Sequence, residues 1–140
     1  RKAQNSKNPL RHFALRRRSI KTGIQIPART KIGEGFYIGH FGRIIIKPEA
    51  VIGKNVNIAT GVTIGRENRG KREGSPKIGD CVWIGTNAVV VGKIEVGDDV
   101  LIAPGAYVNF DVPPHSVVVG NPGKIIPREK AAEKYIENRV

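Results

Sequence analysis

The chain has no methionine, one cysteine and three histidines in 140 residues. Methionine is missing even from position 1, so the numbering is expected to start inside a longer chain. A lone Cys81 rules out an intramolecular disulfide and fits a reducing cytoplasm, the expected compartment. Long apolar runs are missing too. None approaches the roughly 18 residues of a membrane span, and no signal-peptide pattern is visible. Acidic residues are absent from positions 1–21, which carry eight of the twelve net positive charges. The rest of the chain holds 16 basic and 12 acidic residues and is only mildly basic. The net charge that would invite a nucleic-acid reading is thus confined to one end, and no nucleic-acid partner is expected.

That basic end, residues 1–22, forms the first segment. Residues 1–8 read as a polar lead-in. Residues 9–20 read as a short helix, with Pro9 early and Leu10, Phe13, Ala14 and Arg17 at helical spacing. Two readings stand: contact with an anionic membrane surface, or a solvated helix packing Leu10 and Phe13 on the end of the main domain. His12 reads as a surface residue. Gly23 breaks the pattern.

From Ile26 to Val108 an aliphatic residue returns every six positions, through Ile26, Ile32 and Ile38, then Ile46, Ile52, Ile58 and Ile64, then Ile78, Ile84, Val90, Val96, Ile102 and Val108. Glycine often follows, and a smaller apolar series, including Val56, Val62, Ala88 and Ala106, runs two residues ahead. A helix would repeat its apolar face at three and four. A period of six suits a β-solenoid in which each unit is one short strand plus a corner. The period slips twice. Ile38 to Ile46 is eight residues, so two must bulge at Gly39-His40-Phe41-Gly42-Arg43. Ile64 to Ile78 is fourteen, and polar residues 66–75 should project as a loop, either closing over a ligand or simply solvated. After Asp111 come a short strand at 116–119, the turn Gly120-Asn121-Pro122-Gly123, and a helix predicted over 127–139 that caps the open end.

The repeat resembles that of the hexapeptide-repeat acyltransferases, over roughly residues 23–126. The resemblance implies a left-handed parallel β-helix, although general physics favours right-handed crossovers. It divides the chain into the basic segment 1–22, the β-helix 23–111, and a C-terminal turn and capping helix 112–140. Pro76-Lys77-Ile78-Gly79-Asp80, Ile84-Gly85-Thr86-Asn87-Ala88 and Val118-Val119-Gly120-Asn121-Pro122-Gly123-Lys124 look like serine acetyltransferase segments. Gly35-Phe36-Tyr37-Ile38-Gly39-His40 looks more like related polysaccharide O-acetyltransferases. What this implies is acetyl transfer from acetyl-CoA to a hydroxyl of L-serine or a saccharide, within a homotrimer whose donor groove lies between two solenoids.

His40, in the first register break and flanked by glycine-rich backbone, is the candidate general base, a role histidine fills near neutral pH. Backbone N–H groups near Gly39 or Gly42 are candidates to stabilise the oxyanion. The resemblance puts the pantetheine arm near Thr86, Ala103 and Pro104, and the nucleotide end near Lys124 and Arg128. Gly39, Gly42 and Ser75 are the candidate acceptor contacts. Three departures bear on the acceptor: serine acetyltransferases carry Asp where Gly39 stands, a second Asp where Gln25 stands, and a His where Ser75 stands.

Other residues read more plainly. Cys81 is expected to pack in the wall and His115 to be a turn residue, while Trp83 either flanks the CoA groove or makes a subunit contact. No metal is expected, because His12, His40 and His115 are unsuitably spaced for a three-histidine zinc site. The competing reading is a non-catalytic hexapeptide-repeat scaffold or binding protein.

Overall fold

A computed structural model describes residues 8–136 and 139–140. Helix α1 (Pro9–Thr22) opens it, with the Asn8 side chain accepting from the Leu10 amide at 2.9 Å and Gly23 closing the far end in the left-handed region, φ 74°. Its half-buried residues are Leu15 and Ser19, and the Ser19 hydroxyl donates to the Ile24 carbonyl. Leu10 and Phe13, expected to pack on the solenoid, are instead 72% and 61% exposed, because Leu15 and Ser19 take the inward face. None of the described helices is long and apolar enough to cross a membrane.

Five coils follow. The first is β1 (Ile24–Gln25), β2 (Lys31–Ile32) and β3 (Tyr37–Ile38); the second is β4 (Ile44–Ile46), β5 (Val51–Ile52) and β6 (Asn57–Ile58). The third is β7 (Thr63–Gly65), β8 (Lys77–Ile78) and β9 (Trp83–Ile84); the fourth is β10 (Val89–Val91), β11 (Glu95–Val96) and β12 (Val100–Ile102). The fifth holds β13 (Tyr107–Val108) and β14 (Ser116–Val119), from which β15 (Lys124–Pro127) turns back. Strands stack into three sheets: β1-β4-β7-β10-β13, β2-β5-β8-β11 and β3-β6-β9-β12-β14-β15. Every pairing is parallel except β14 with β15. Inside, the six-residue Ile/Val series and the smaller series form one core. Ile64, Ile84, Val90 and Ile102 are fully enclosed, each contributing about 1.5–3 kcal/mol of burial.

Three corners join the sheets. We call them corners I (first sheet to second), II (second to third) and III (third to first). At corner II a left-handed residue recurs in each coil: Gly35, Asn55, Cys81, Asp99 and His115, with φ between 53° and 72°. Cys81 is therefore a half-buried corner residue and not part of the wall. Just ahead of them Gly33, Gly53, Gly79 and Gly97 let successive coils touch. A Cβ on Gly53 would lie 2.5 Å from the Gly79 carbonyl oxygen.

The C-terminal end departs from the predicted helix. Pro127 belongs to β15, Lys130 adopts φ 56°, and helical turns are limited to a single 3-10 turn at Glu133–Tyr135 among the described residues. A left-handed Lys130 cannot continue a helix. The segment runs back across the third sheet as a strap. Ala131, Ala132 and Ile136 are buried, Tyr135 lies on Trp83 with ring centroids 4.6 Å apart, and Asn57 Nδ2 donates to the Tyr135 carbonyl at 3.0 Å. Asn55 exchanges two hydrogen bonds with the Val140 backbone, at 2.9 and 3.2 Å. Trp83 thus packs against the chain's own strap and remains half-buried.

Candidate active site

The first register break falls at corner III. Later coils cross this corner in three residues, 59–61, 85–87 and 103–105, between buried core positions. The first coil uses five, 39–43, between Ile38 and Ile44. The excess pushes His40 and Phe41 outward; both are exposed, Phe41 at 93%. The Tyr37 ring lies beside Gly39, where an added Cβ would come to 3.8 Å of it. Gly42, at φ 132°, is held where any Cβ would strike the Thr60 hydroxyl. Its glycine is therefore obligatory for both backbone angle and space.

Hydrogen bonding separates the two glycine candidates. The Gly39 amide donates to the Ile58 carbonyl at 3.0 Å and is engaged in the ladder, so it is not available to an oxyanion. The Gly42 amide makes no backbone hydrogen bond among the described residues. The His40 ring likewise has no side-chain hydrogen bond or ion pair among the described residues.

Corner III also carries the donor candidates. Thr86 lies in the corner two coils on from His40 and Ala103 and Pro104 three coils on, or about 10 and 14 Å along the axis at a strand spacing near 4.8 Å. Lys124 pairs with Val119 at the corner III end of β15. Arg128 does not join them. It follows Pro127, which pairs with Ser116, and its amide donates to the His115 carbonyl at 2.7 Å, at corner II. Four extended residues, about 13 Å, separate it from Lys124.

Ser75 stands at corner I, across the first sheet from His40, and its hydroxyl is enclosed without a hydrogen-bond partner. The 66–75 loop is a small hairpin held by reciprocal Glu67–Gly74 backbone bonds at 2.9 and 3.0 Å and by Arg66–Glu73 at 3.3 Å. It folds against the fourth coil, where the Lys93 amide donates to the Arg72 carbonyl. Within one chain neither Ser75 nor the hairpin meets His40.

The three histidines lie apart, His12 on α1, His40 at corner III and His115 at corner II. His115, read as a turn residue, is also part of a cluster. Its Nδ1 lies 2.9 Å from Asp99 Oδ2 and 3.3 Å from Glu129, while Asp99 accepts the Ala131 and Ala132 amides at 3.2 and 3.1 Å. Partial burial would raise the Asp99 carboxyl, but the His115 hydrogen bond and the Ala132 and Ala131 amides outweigh it and hold the group below its ordinary value. The Asp99 hydrogen bond raises the imidazole of His115 against some desolvation, helped by the charges of Glu129, Asp99 and Asp98. The cluster pins the strap. Asp99 and His115 are 16 residues apart, and nothing in the period pointed to their pairing.

Residues 75–109 match the family profile "Bacterial transferase hexapeptide (six repeats)". Serine acetyltransferase 2 of Arabidopsis thaliana is 40% identical over 104 residues, 74% of this chain and 32% of that protein. The serine acetyltransferase of Helicobacter pylori is 39% identical over 109 residues, 78% of this chain and 64% of that one. Among solved structures, the Neisseria gonorrhoeae enzyme in complex with serine superposes with a TM-score of 0.74 at 38% identity, covering 84% of this chain and 48% of the other. Repeat, coil and match define a hexapeptide-repeat protein. Over its solenoid it is serine acetyltransferase-like, and superposition at this level carries the left hand of those parallel β-helices with it. The chain spans from about a third to just under two thirds of the curated relatives named here.

Proposed function

We propose that the protein is an O-acetyltransferase that moves the acetyl group of acetyl-CoA to a hydroxyl, either of L-serine, as in the names of its relatives, or of a saccharide. The observation that carries this reading is the alignment on corner III of His40, Thr86, Ala103, Pro104 and Lys124. His40 takes the hydroxyl proton as the oxygen attacks the thioester carbonyl; the C–O bond forms, the C–S bond breaks, and the proton passes to the departing thiolate of CoA. The Gly42 amide faces the negative charge on the carbonyl oxygen. Acetyl-CoA is the donor, and no metal takes part in the reading. Arg128 and Ser75 belong to the site only if a neighbouring copy supplies them, which is why the reading includes a homotrimer. The expected compartment is the cytoplasm.

The test is thiol release from acetyl-CoA with purified protein against serine and a sugar panel. Release that depends on an acceptor and disappears in His40→Asn supports the enzyme. Donor and acceptor binding without release in the wild type would favour the scaffold.

A further inference from the structure

Corner III has a chemical character of its own. Among the described residues no Asp or Glu stands on it. Glu34, Asp80, Asp98, Asp99 and Glu129 gather at corner II, and the other described acids lie at corner I, on the second sheet or in the strap. Corner III instead holds Arg43, which makes no ion pair among the described residues. Within one chain, an acceptor with an ammonium group would find no carboxylate partner there and would face the Arg43 guanidinium. The corner also has an aromatic lining in a chain with eight aromatic residues. Phe41, 93% exposed, and Tyr37, 45% exposed, flank the Gly39–His40 segment. A fully solvated Phe on a register bulge contributes nothing to the core that the period builds. The hairpin that would approach from a neighbouring copy carries Arg66, Arg69, Lys71 and Arg72 against Glu67 and Glu73, so assembly would add net positive charge to this corner.

We infer that Phe41 is the acceptor platform and that the acceptor is a pyranoside without a free ammonium group. This rests on the O-acetyltransferase reading. The apolar C–H face of a pyranose lies on the negative face of the Phe41 ring, with the quadrupole attraction that aromatic faces offer to positive edges. That stacking sets one ring hydroxyl against His40, and Arg43 accommodates a carboxylate where the sugar is acidic. Phe41 here is a specificity residue, distinct from the base.

The experiment has two arms. Saturation-transfer NMR with methyl β-D-glucopyranoside, its N-acetylglucosaminide counterpart and the glucuronide, in the presence of CoA, reads binding without turnover. Thiol release with the same compounds and with L-serine reads chemistry. Transfer of saturation to a glycoside that is lost in Phe41→Ala and kept in Phe41→Tyr is the expected result. In thiol release, Phe41→Ala should raise KM for that glycoside about tenfold, the loss of one well-packed aromatic contact. Absence of binding by every glycoside, binding indifferent to Phe41→Ala, or serine turned over with the higher kcat/KM overturns the inference. Glycoside binding at Phe41 without thiol release would overturn the transferase reading and leave the platform standing.

Discussion

At the scale of single residues, His40 was legible because a strict period makes any slip visible. Two surplus residues can only leave the wall, and His40 is one of those that do. The candidate oxyanion donor was half legible. Gly39 and Gly42 are indistinguishable in sequence, and only the ladder shows that the Gly39 amide is engaged with Ile58. Replacing His40 by Asn, which fills the same space, should lower kcat by roughly 10²–10⁴-fold, or about 3–5 kcal/mol of barrier. Binding of acetyl-CoA, read by calorimetry with CoA, should change little; near-normal kcat in the variant would remove His40 from the chemistry. Lys124 is the proposed donor-binding residue. Lys124→Ala should raise KM for acetyl-CoA, and the penalty should shrink at high salt as screening weakens its pull on phosphate. An unchanged KM takes Lys124 out of the donor site.

Elements show where pattern reading stops. Ala131, Ala132, Tyr135 and Ile136 have helical spacing, yet three of them bury flat against the third sheet. The Asp99 carboxylate takes the amides of Ala131 and Ala132, and Lys130 turns left-handed just before them. Tertiary capture overrode local propensity, and the capturing residue lies more than thirty positions upstream. The latch should respond to pH. His115 is raised in the folded state, so its contribution is full below its ordinary value of 6.5 and fades as pH climbs through the raised one. Asp99 is lowered, so its contribution holds above 3.8 and fails as pH falls through the lowered value. Strap docking should therefore be tightest between those limits and loosen above them. Trp83 fluorescence, reporting the Tyr135 contact, should follow that course, and His115→Asn, which tolerates the left-handed angle, should flatten its alkaline limb. A wild-type signal unchanged across the alkaline limb would contradict the latch. The coil contacts are stiffer. Gly53→Ala forces a methyl against the Gly79 carbonyl and should cost about 1–3 kcal/mol in urea unfolding, as overpacking does.

For the whole molecule, the period of six gave the solenoid, its three sheets and its core, since those follow from which residues must be inside. On the outside the sheets differ, and the proposed assembly rests on that difference. The second presents Lys31, Lys77 and Glu95 to solvent, the third is covered by the strap, and the first leaves Ile45, Val89, Val91 and Tyr107 half-buried with no cover in this chain. With Ser75 and His40 on opposite sides of that first sheet, the proposed trimer is the assembly that would join them. Sedimentation should show three copies; a monomer at micromolar concentration would argue against a donor groove between chains. The strap has another consequence. A stack of repeats touching only its neighbours behaves as a one-dimensional array, free to fray from either end. Here a single segment fastened at Asp99, Trp83, Asn57 and Asn55 spans seams between the fourth and second coils. Loss of one end should then be felt at the other, and the array should melt as one cooperative body. Chain ending at Pro127 should unfold over a broader range of denaturant, with the outer coils opening before the centre.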